Sequence, residues 1–191
     1  RTRIREDVKR AVIVILVLIM VAGLGWAGHT YYARWRLEQP LPADIDRHQN
    51  AIWMGHKWFG KTPPTEEIQA TAQQLNRLGF KDIYFHVGPL DAKGEIPKWD
   101  HELWLQTLKQ FRAQIPGMRA FAWVGGVTVN KFGKAPDTID NALPEVRAGI
   151  VKTCQRVLKE GEFDGIHYDL EPIDRGDLNF ISLCQETHKA I

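Results

Sequence analysis

Hydrophobic positions along this chain follow two regimes. Residues 11–27 (AVIVILVLIMVAGLGWA) carry no charge and show no recurring polar face, whereas beyond residue 50 apolar runs of strand length alternate with stripes of helical period. Residues 51–59 predict a strand closed by Gly60. Thr62-Pro63-Pro64-Thr65-Glu66-Glu67 joins a hydroxyl cap, an early proline and an acidic first turn; Ile68, Ala72 and Leu75 follow at i, i+4 and i+7, so a helix is expected up to Gly79. The unit then repeats. Residues 81–87 (KDIYFHV) predict a second strand, with Trp104, Leu108, Phe111 and Ile115 marking its helix. Residues 118–124 (MRAFAWV) predict a third strand, with a helix over about 143–159 ending near Gly161. Residues 163–170 predict a fourth, with a helix opening near Asp177. Strand–helix alternation of this kind means βαβ units and a parallel sheet. Four units are half of an eight-stranded barrel. A four-stranded doubly wound sheet is the alternative, and the first βα loop has neither the GxGxxG nor the GxxxxGK phosphate cradle that such a sheet often carries.

The apolar N-terminal run changes the picture of where the domain works. Seventeen residues at 1.5 Å each span about 25 Å, the short end of a bilayer crossing, and His29, Tyr31 and Tyr32 extend it into the interface. Residues 1–10 hold five basic and two acidic side chains, which favours a cytoplasmic N-terminus and an exported remainder. A cleaved signal peptide competes with the anchor, because Gly25 and Ala27 place small residues where a signal peptidase reads them. The expected organisation is a basic cytoplasmic tail over 1–10, a transmembrane or signal-anchor helix over 11–30, a linker over 31–50 stiffened by Pro40 and Pro42, and the βα domain over 51–191. The chain starts without methionine, so residues are expected to precede Arg1. Net charge is only +2, which gives no general electrostatic footprint for nucleic acid. Cys154 and Cys184 both fall on apolar helical stripes and read as two buried thiols, although an exported pair can oxidise.

Candidate chemistry concentrates in Phe163-Asp164-Gly165-Ile166-His167-Tyr168-Asp169-Leu170-Glu171-Pro172. Side chains alternate along a strand, so His167, Asp169 and Glu171 share one face while Ile166, Tyr168 and Leu170 share the other. The apolar set suits packing against helices, which turns three ionisable groups toward the inner face at a strand's C-terminal end. Burying such a cluster without chemistry is expensive.

This stretch resembles the DxxDxDxE signature of glycoside hydrolase family 18, the chitinase and endo-N-acetylglucosaminidase family. Asp164, Asp169 and Glu171 match its first and third aspartates and its glutamate. Trp123-Val124-Gly125-Gly126 is a looser counterpart of the family's SxGG signature at the end of the third strand. The resemblance covers residues 51–191 and implies an α/β fold: a (β/α)8 TIM barrel with its first four units present, preceded by the transmembrane or signal helix. A chain ending at Ile191 is then expected to be inactive and prone to association through open sheet edges. Two positions depart from the pattern, His167 for the middle aspartate and Trp123 for the serine.

The resemblance implies a glycosidase that borrows its nucleophile from the substrate. Glu171 would protonate the glycosidic oxygen and later activate water, and Asp169 would orient the 2-acetamido group, with Asp164 and His167 in support. In the family the third aspartate moves between its aspartate neighbour and the glutamate. A cationic His167 hydrogen-bonded to Asp169 would hold that carboxylate ionised and weaken proton sharing with Glu171. The implied substrate is an N-acetylhexosamine polymer or glycan, reached outside the membrane, with no metal or organic cofactor and no nucleic acid. Other residues at strand ends are expected on the same rim. His56 and His86 read as supporting or substrate-contacting groups and Trp58 and Trp123 as sugar platforms or core, while the resemblance makes Gly125 and Gly126 candidate substrate-binding residues. Lys57 reads as a solvated loop charge, Gly88 and Asp91 as rim residues, and residues 130–134 (NKFGK) as an exposed loop shaping a cleft. The alternative function is a catalytically silent glycan-binding module on the same scaffold, favoured by loss of the middle aspartate.

Overall fold

The first helix, α1, runs unbroken over Thr2–Glu38 in a computed structural model that describes residues 2–39, 50–58, 60–61, 63–129 and 137–191. It therefore includes residues 2–10 of the expected tail and residues 31–38 of the expected linker. The reason lies in the sequence: Pro40 is the first proline, and isolated glycines at 23, 25 and 28 cost a helix only about 1 kcal/mol each. Within α1, Val12–Arg36 is long and apolar enough to cross a membrane, a description a secretory signal also meets. Residues 40–49 of the expected linker, with Pro40 and Pro42, lie outside the described residues, as do Phe59, Thr62 and the loop at 130–134.

The chain divides into two units, Arg1–Leu41 and Pro42–Ile191. The second unit alternates strand and helix: β1 Asn50–Met54, a 3-10 turn His56–Trp58, α2 Thr65–Arg77, β2 Phe80–Pro89, α3 His101–Gln114, β3 Arg119–Val127, α4 Pro144–Gly161, β4 Gly165–Glu171 and α5 Leu178–Ala190. All three pairings are parallel, in the order β1-β2-β3-β4. The sheet is unclosed, with β1 and β4 at its edges. Strand 1 is shorter than its apolar pattern. The chain leaves the sheet at Gly55, the Trp58 amide donates to the Gly55 carbonyl at 3.1 Å, and the Trp58 ring turns edge-on to Phe111 at 5.4 Å, fully inside the helix–sheet core.

One sheet face is the core. Met54, Ile83, Phe85, Val87, Ala120, Ala122, Val124 and Leu170 pack against Ile68 and Ala72 of α2, Trp104 and Phe111 of α3, and Ile150 and Val157 of α4. Capping follows the sequence where a carboxylate is available: Asp100 accepts from the Leu103 amide at 3.0 Å, and Asp177 accepts from those of Asn179 and Phe180. Helix α2 instead starts from Pro64 without a side-chain cap, its acidic first turn supplied by Glu66 and Glu67.

Cys154 is buried as expected, but Cys184 is exposed, and both are free thiols. Helix α5 buries Leu183 and Thr187 rather than Ile181 and Cys184. The Thr187 hydroxyl sits 2.7 Å from the Tyr168 hydroxyl, which also meets the Cys154 thiol at 3.2 Å. Leu183 and this polar contact, rather than the expected apolar stripe, thus face the rest of the domain. Burial pushes the Cys154 thiol up to about 11, which keeps it protonated and inert at neutral pH.

Candidate functional site

The alternation along β4 sets the site. Tyr168 and Leu170 turn to the helices, while His167, Asp169 and Glu171 lie on the concave face. Register builds that face in tiers. Trp53, Tyr84, Phe121 and Gly165 are aligned across the four strands, and Trp53 stacks on Tyr84 at 5.1 Å, which stacks on Phe121 at 5.0 Å. Above them His86 is aligned with Trp123 and Trp123 with His167, then Pro89 with Gly125 and Gly125 with Asp169, and finally Val127 with Glu171. The face is open: Trp53 is 53% and Val127 58% exposed.

At the C-terminal ends of the strands this face becomes a cleft of about 710 Å³. Asp169 and Glu171 form its β4 wall, Gly125 and Gly126 line its β3 side, and His56 and His86 line it from the turn after β1 and from β2. Asp169 is held by a hydrogen bond from Trp123 Nε1 to its Oδ2, 2.8 Å. The Glu171 backbone is fixed by the Thr128 amide, which donates to its carbonyl at 2.8 Å, and by the Thr128 hydroxyl on the Pro172 carbonyl. The glutamate side chain itself is exposed to the cleft.

His167 does not play the expected part of a cation bonded to Asp169. Its Nε2 accepts from Trp53 Nε1 at 3.2 Å, so that nitrogen carries no proton, and the ring meets Tyr84 edge-on at 4.9 Å. Burial lowers its pKa, outweighing the pull of Asp169 in the other direction. The ring is therefore neutral, and the hydrogen bond to Asp169 comes instead from Trp123. A tryptophan facing an imidazole across the sheet was not readable from the local spacing.

Asp164 lies at the other end of β4. It accepts from Arg112 Nη2 at 3.0 Å and from the Ala120 amide at 2.7 Å, tying α3 to the start of the β3–β4 pair rather than entering the cleft. Trp58 is equally distant from sugar chemistry, being core. Lys57 pairs with Glu67 at 2.7 Å on the surface, as a loop charge should. Asp91 lines the cleft, but its Oδ1 accepts the amides of Lys93 and Glu95 and so shapes the β2–α3 loop. The glycine pair divides its labour. Gly125 is aligned with inward-facing Asp169, and a Cβ there would lie 3.1 Å from His86 Nε2; Gly126 is aligned with Leu170, and a Cβ there would collide with Ile139. The sequence reading missed Pro89 at the end of β2, and Leu90, Pro97, Asp137 and Thr138, which complete the rim from loops whose approach no strand or helix period encodes.

His86 packs against His56 at 4.5 Å and edge-on to Trp123 at 4.9 Å. Burial, then His56, push its pKa below the usual imidazole value, against the pull of Asp169. Two histidines thus carry folded pKa values below the reference of 6.5. As pH falls from 6.5 toward those values the unfolded chain binds more protons than the folded one, so stability falls with acidification across that window. Calorimetry should find a lower unfolding temperature at mildly acidic than at neutral pH, with a shallower slope in His86→Asn.

No protein-family model matches the chain, and no curated protein sequence does either. Solved structures do share its fold. A family 18 chitinase from Cycas revoluta, in complex with (GlcNAc)4, superposes with a TM-score of 0.52 at 17% identity over 74% of this chain and 40% of that one. A Group IV chitinase from Ostrinia furnacalis, in complex with allosamidin, gives 0.50 at 22% over 73% and 39%. A noncanonic maltogenic alpha-amylase from Thermotoga neapolitana gives 0.50 at 9% over 75% and 44%. The chain spans about 40% of the length of the chitinases it matches. Its four parallel strand–helix units thus share the fold of part of these family 18 chitinases, and the amylase shows that this architecture alone does not select a reaction.

Proposed function

We propose that this chain carries the acid-bearing part of an extracytoplasmic glycoside hydrolase that cleaves N-acetylhexosamine glycans by a substrate-assisted, retaining route. The observation that supports it most is the pairing of Asp169, fixed by Trp123, with an exposed Glu171 on one wall of the cleft. Glu171 protonates the glycosidic oxygen as the substrate's acetamido carbonyl attacks the anomeric carbon; the leaving sugar departs as an alcohol and an oxazolinium forms. Asp169 accepts the acetamido N–H and stabilises the positive charge. Glu171, now a carboxylate, takes a proton from water as that water opens the oxazolinium, and the acid is restored. Helix α1 serves as the anchor, with its basic end in the cytoplasm.

One observation favours a second reading, a silent glycan-binding module: position 167 holds a neutral imidazole already engaged by Trp53 where the resembled signature has an acid. The two readings part in an assay of the full-length protein with an aryl chito-oligosaccharide and the matching gluco-oligosaccharide, which lacks the acetamido nucleophile. Hydrolysis of the first alone is expected. Binding of the first without hydrolysis of either makes the protein a binder, and hydrolysis of both sinks the substrate-assisted route.

A further inference from the structure

The geometry points to Trp123 as the positioning residue that holds Asp169 in its working orientation, from the neighbouring strand rather than from β4 itself. This inference rests on the glycosidase reading above. Trp123 Nε1 donates to Asp169 Oδ2 at 2.8 Å, and the two residues sit on adjacent strands one tier apart. The indole is itself fixed. The His86 ring meets it edge-on at 4.9 Å and 82°, and the His56 ring lies 5.6 Å away. Gly125, next along the concave face, carries no Cβ where one would stand 3.1 Å from His86 Nε2, so the imidazole that backs the indole fits close to the strand. An indole walled by two imidazoles, with its N–H already spent, is not an open platform for a pyranose.

The chemistry of the donor matters. An indole N–H donates and never accepts, so Trp123 cannot share a proton with Asp169 as an acid neighbour can. It fixes one carboxylate oxygen and directs the other toward the substrate's acetamido N–H. His167, neutral and committed to Trp53, contributes no such hold. Orientation of Asp169 thus passes from the residue two places back on its own strand to one on β3.

The test uses the full-length protein in detergent with Trp123→Phe, which keeps an aromatic ring but removes the donor, and Trp123→His, which restores a ring N–H. With an aryl chito-oligosaccharide, Trp123→Phe is expected to lose about 20-fold in kcat with KM held within about threefold, and Trp123→His to recover part of the loss. In protein labelled with 15N at its indoles, the Trp123 N–H resonance is expected to move when Asp169 becomes Asn. A raised KM with kcat intact overturns the proposal and makes Trp123 a sugar platform. Unchanged kinetics in Trp123→Phe, or an indole resonance indifferent to Asp169→Asn, overturns it while the glycosidase reading stands. A wild type with no turnover sinks that reading, and the positioning role of Trp123 with it.

Discussion

Glu171→Gln is expected to lower turnover of a chito-oligosaccharide by about 1,000-fold while glycan binding stays within about threefold. The amide matches the carboxyl in size and keeps its hydrogen-bonding capacity, but it has no proton to give the leaving oxygen and no charge with which to activate water. Both halves of the reaction lose their acid–base partner. Little else should change. The side chain is exposed in the cleft, and the local backbone is held through main-chain atoms: the Thr128 amide on the Glu171 carbonyl and the Thr128 hydroxyl on the Pro172 carbonyl. Exposed substitutions of this kind usually shift stability by less than about 0.5 kcal/mol. Circular-dichroism melting alongside kinetics separates the cases. A variant that melts with the wild type yet keeps most of its turnover would remove Glu171 from the mechanism and send the search for an acid elsewhere in the cleft.

The four βα units were legible because their signals are local and redundant. Asp100 and Asp177 cap where a carboxylate precedes an apolar stripe, and the strand cores at β2, β3 and β4 alternate as the pleat requires. The β4 motif was legible for a related reason: an alternating strand with ionisable groups on one face leaves few places to put them. What the sequence concealed depends on contacts between distant residues. Trp53 and His167 are separated by 114 positions and Trp123 and Asp169 by 46, so neither hydrogen bond leaves a trace in local spacing. The partner of Asp169 was expected two residues away on its own strand and is found on the next one. Trp58 read equally well as platform or core, and only the turn at Gly55 decides that it points to Phe111. Thr187 did not read as a core position because a threonine is not apolar, although it is buried beside Leu183 and bonds to Tyr168.

Asp169→Asn should cost about 300-fold in kcat, and the way that loss responds to the leaving group identifies its cause. Asparagine keeps a carbonyl oxygen that can accept from Trp123 Nε1, so the side chain stays seated and the substitution removes charge rather than position. If Asp169 stabilises an oxazolinium, its charge is needed whatever group departs. Glu171 is different in the first step, because a leaving group that departs without protonation does not need the acid. Kinetics with a dinitrophenyl glycoside should therefore restore much of the first-step rate of Glu171→Gln and little of that of Asp169→Asn. Pre-steady-state release of dinitrophenol reads that step alone, leaving aside the role of Glu171 as base toward water. Equal rescue of both variants would mean that Asp169 acts only by tuning Glu171. Rescue of neither would mean that bond cleavage is not limited by leaving-group protonation, and the division of labour between the two carboxylates would have to be redrawn.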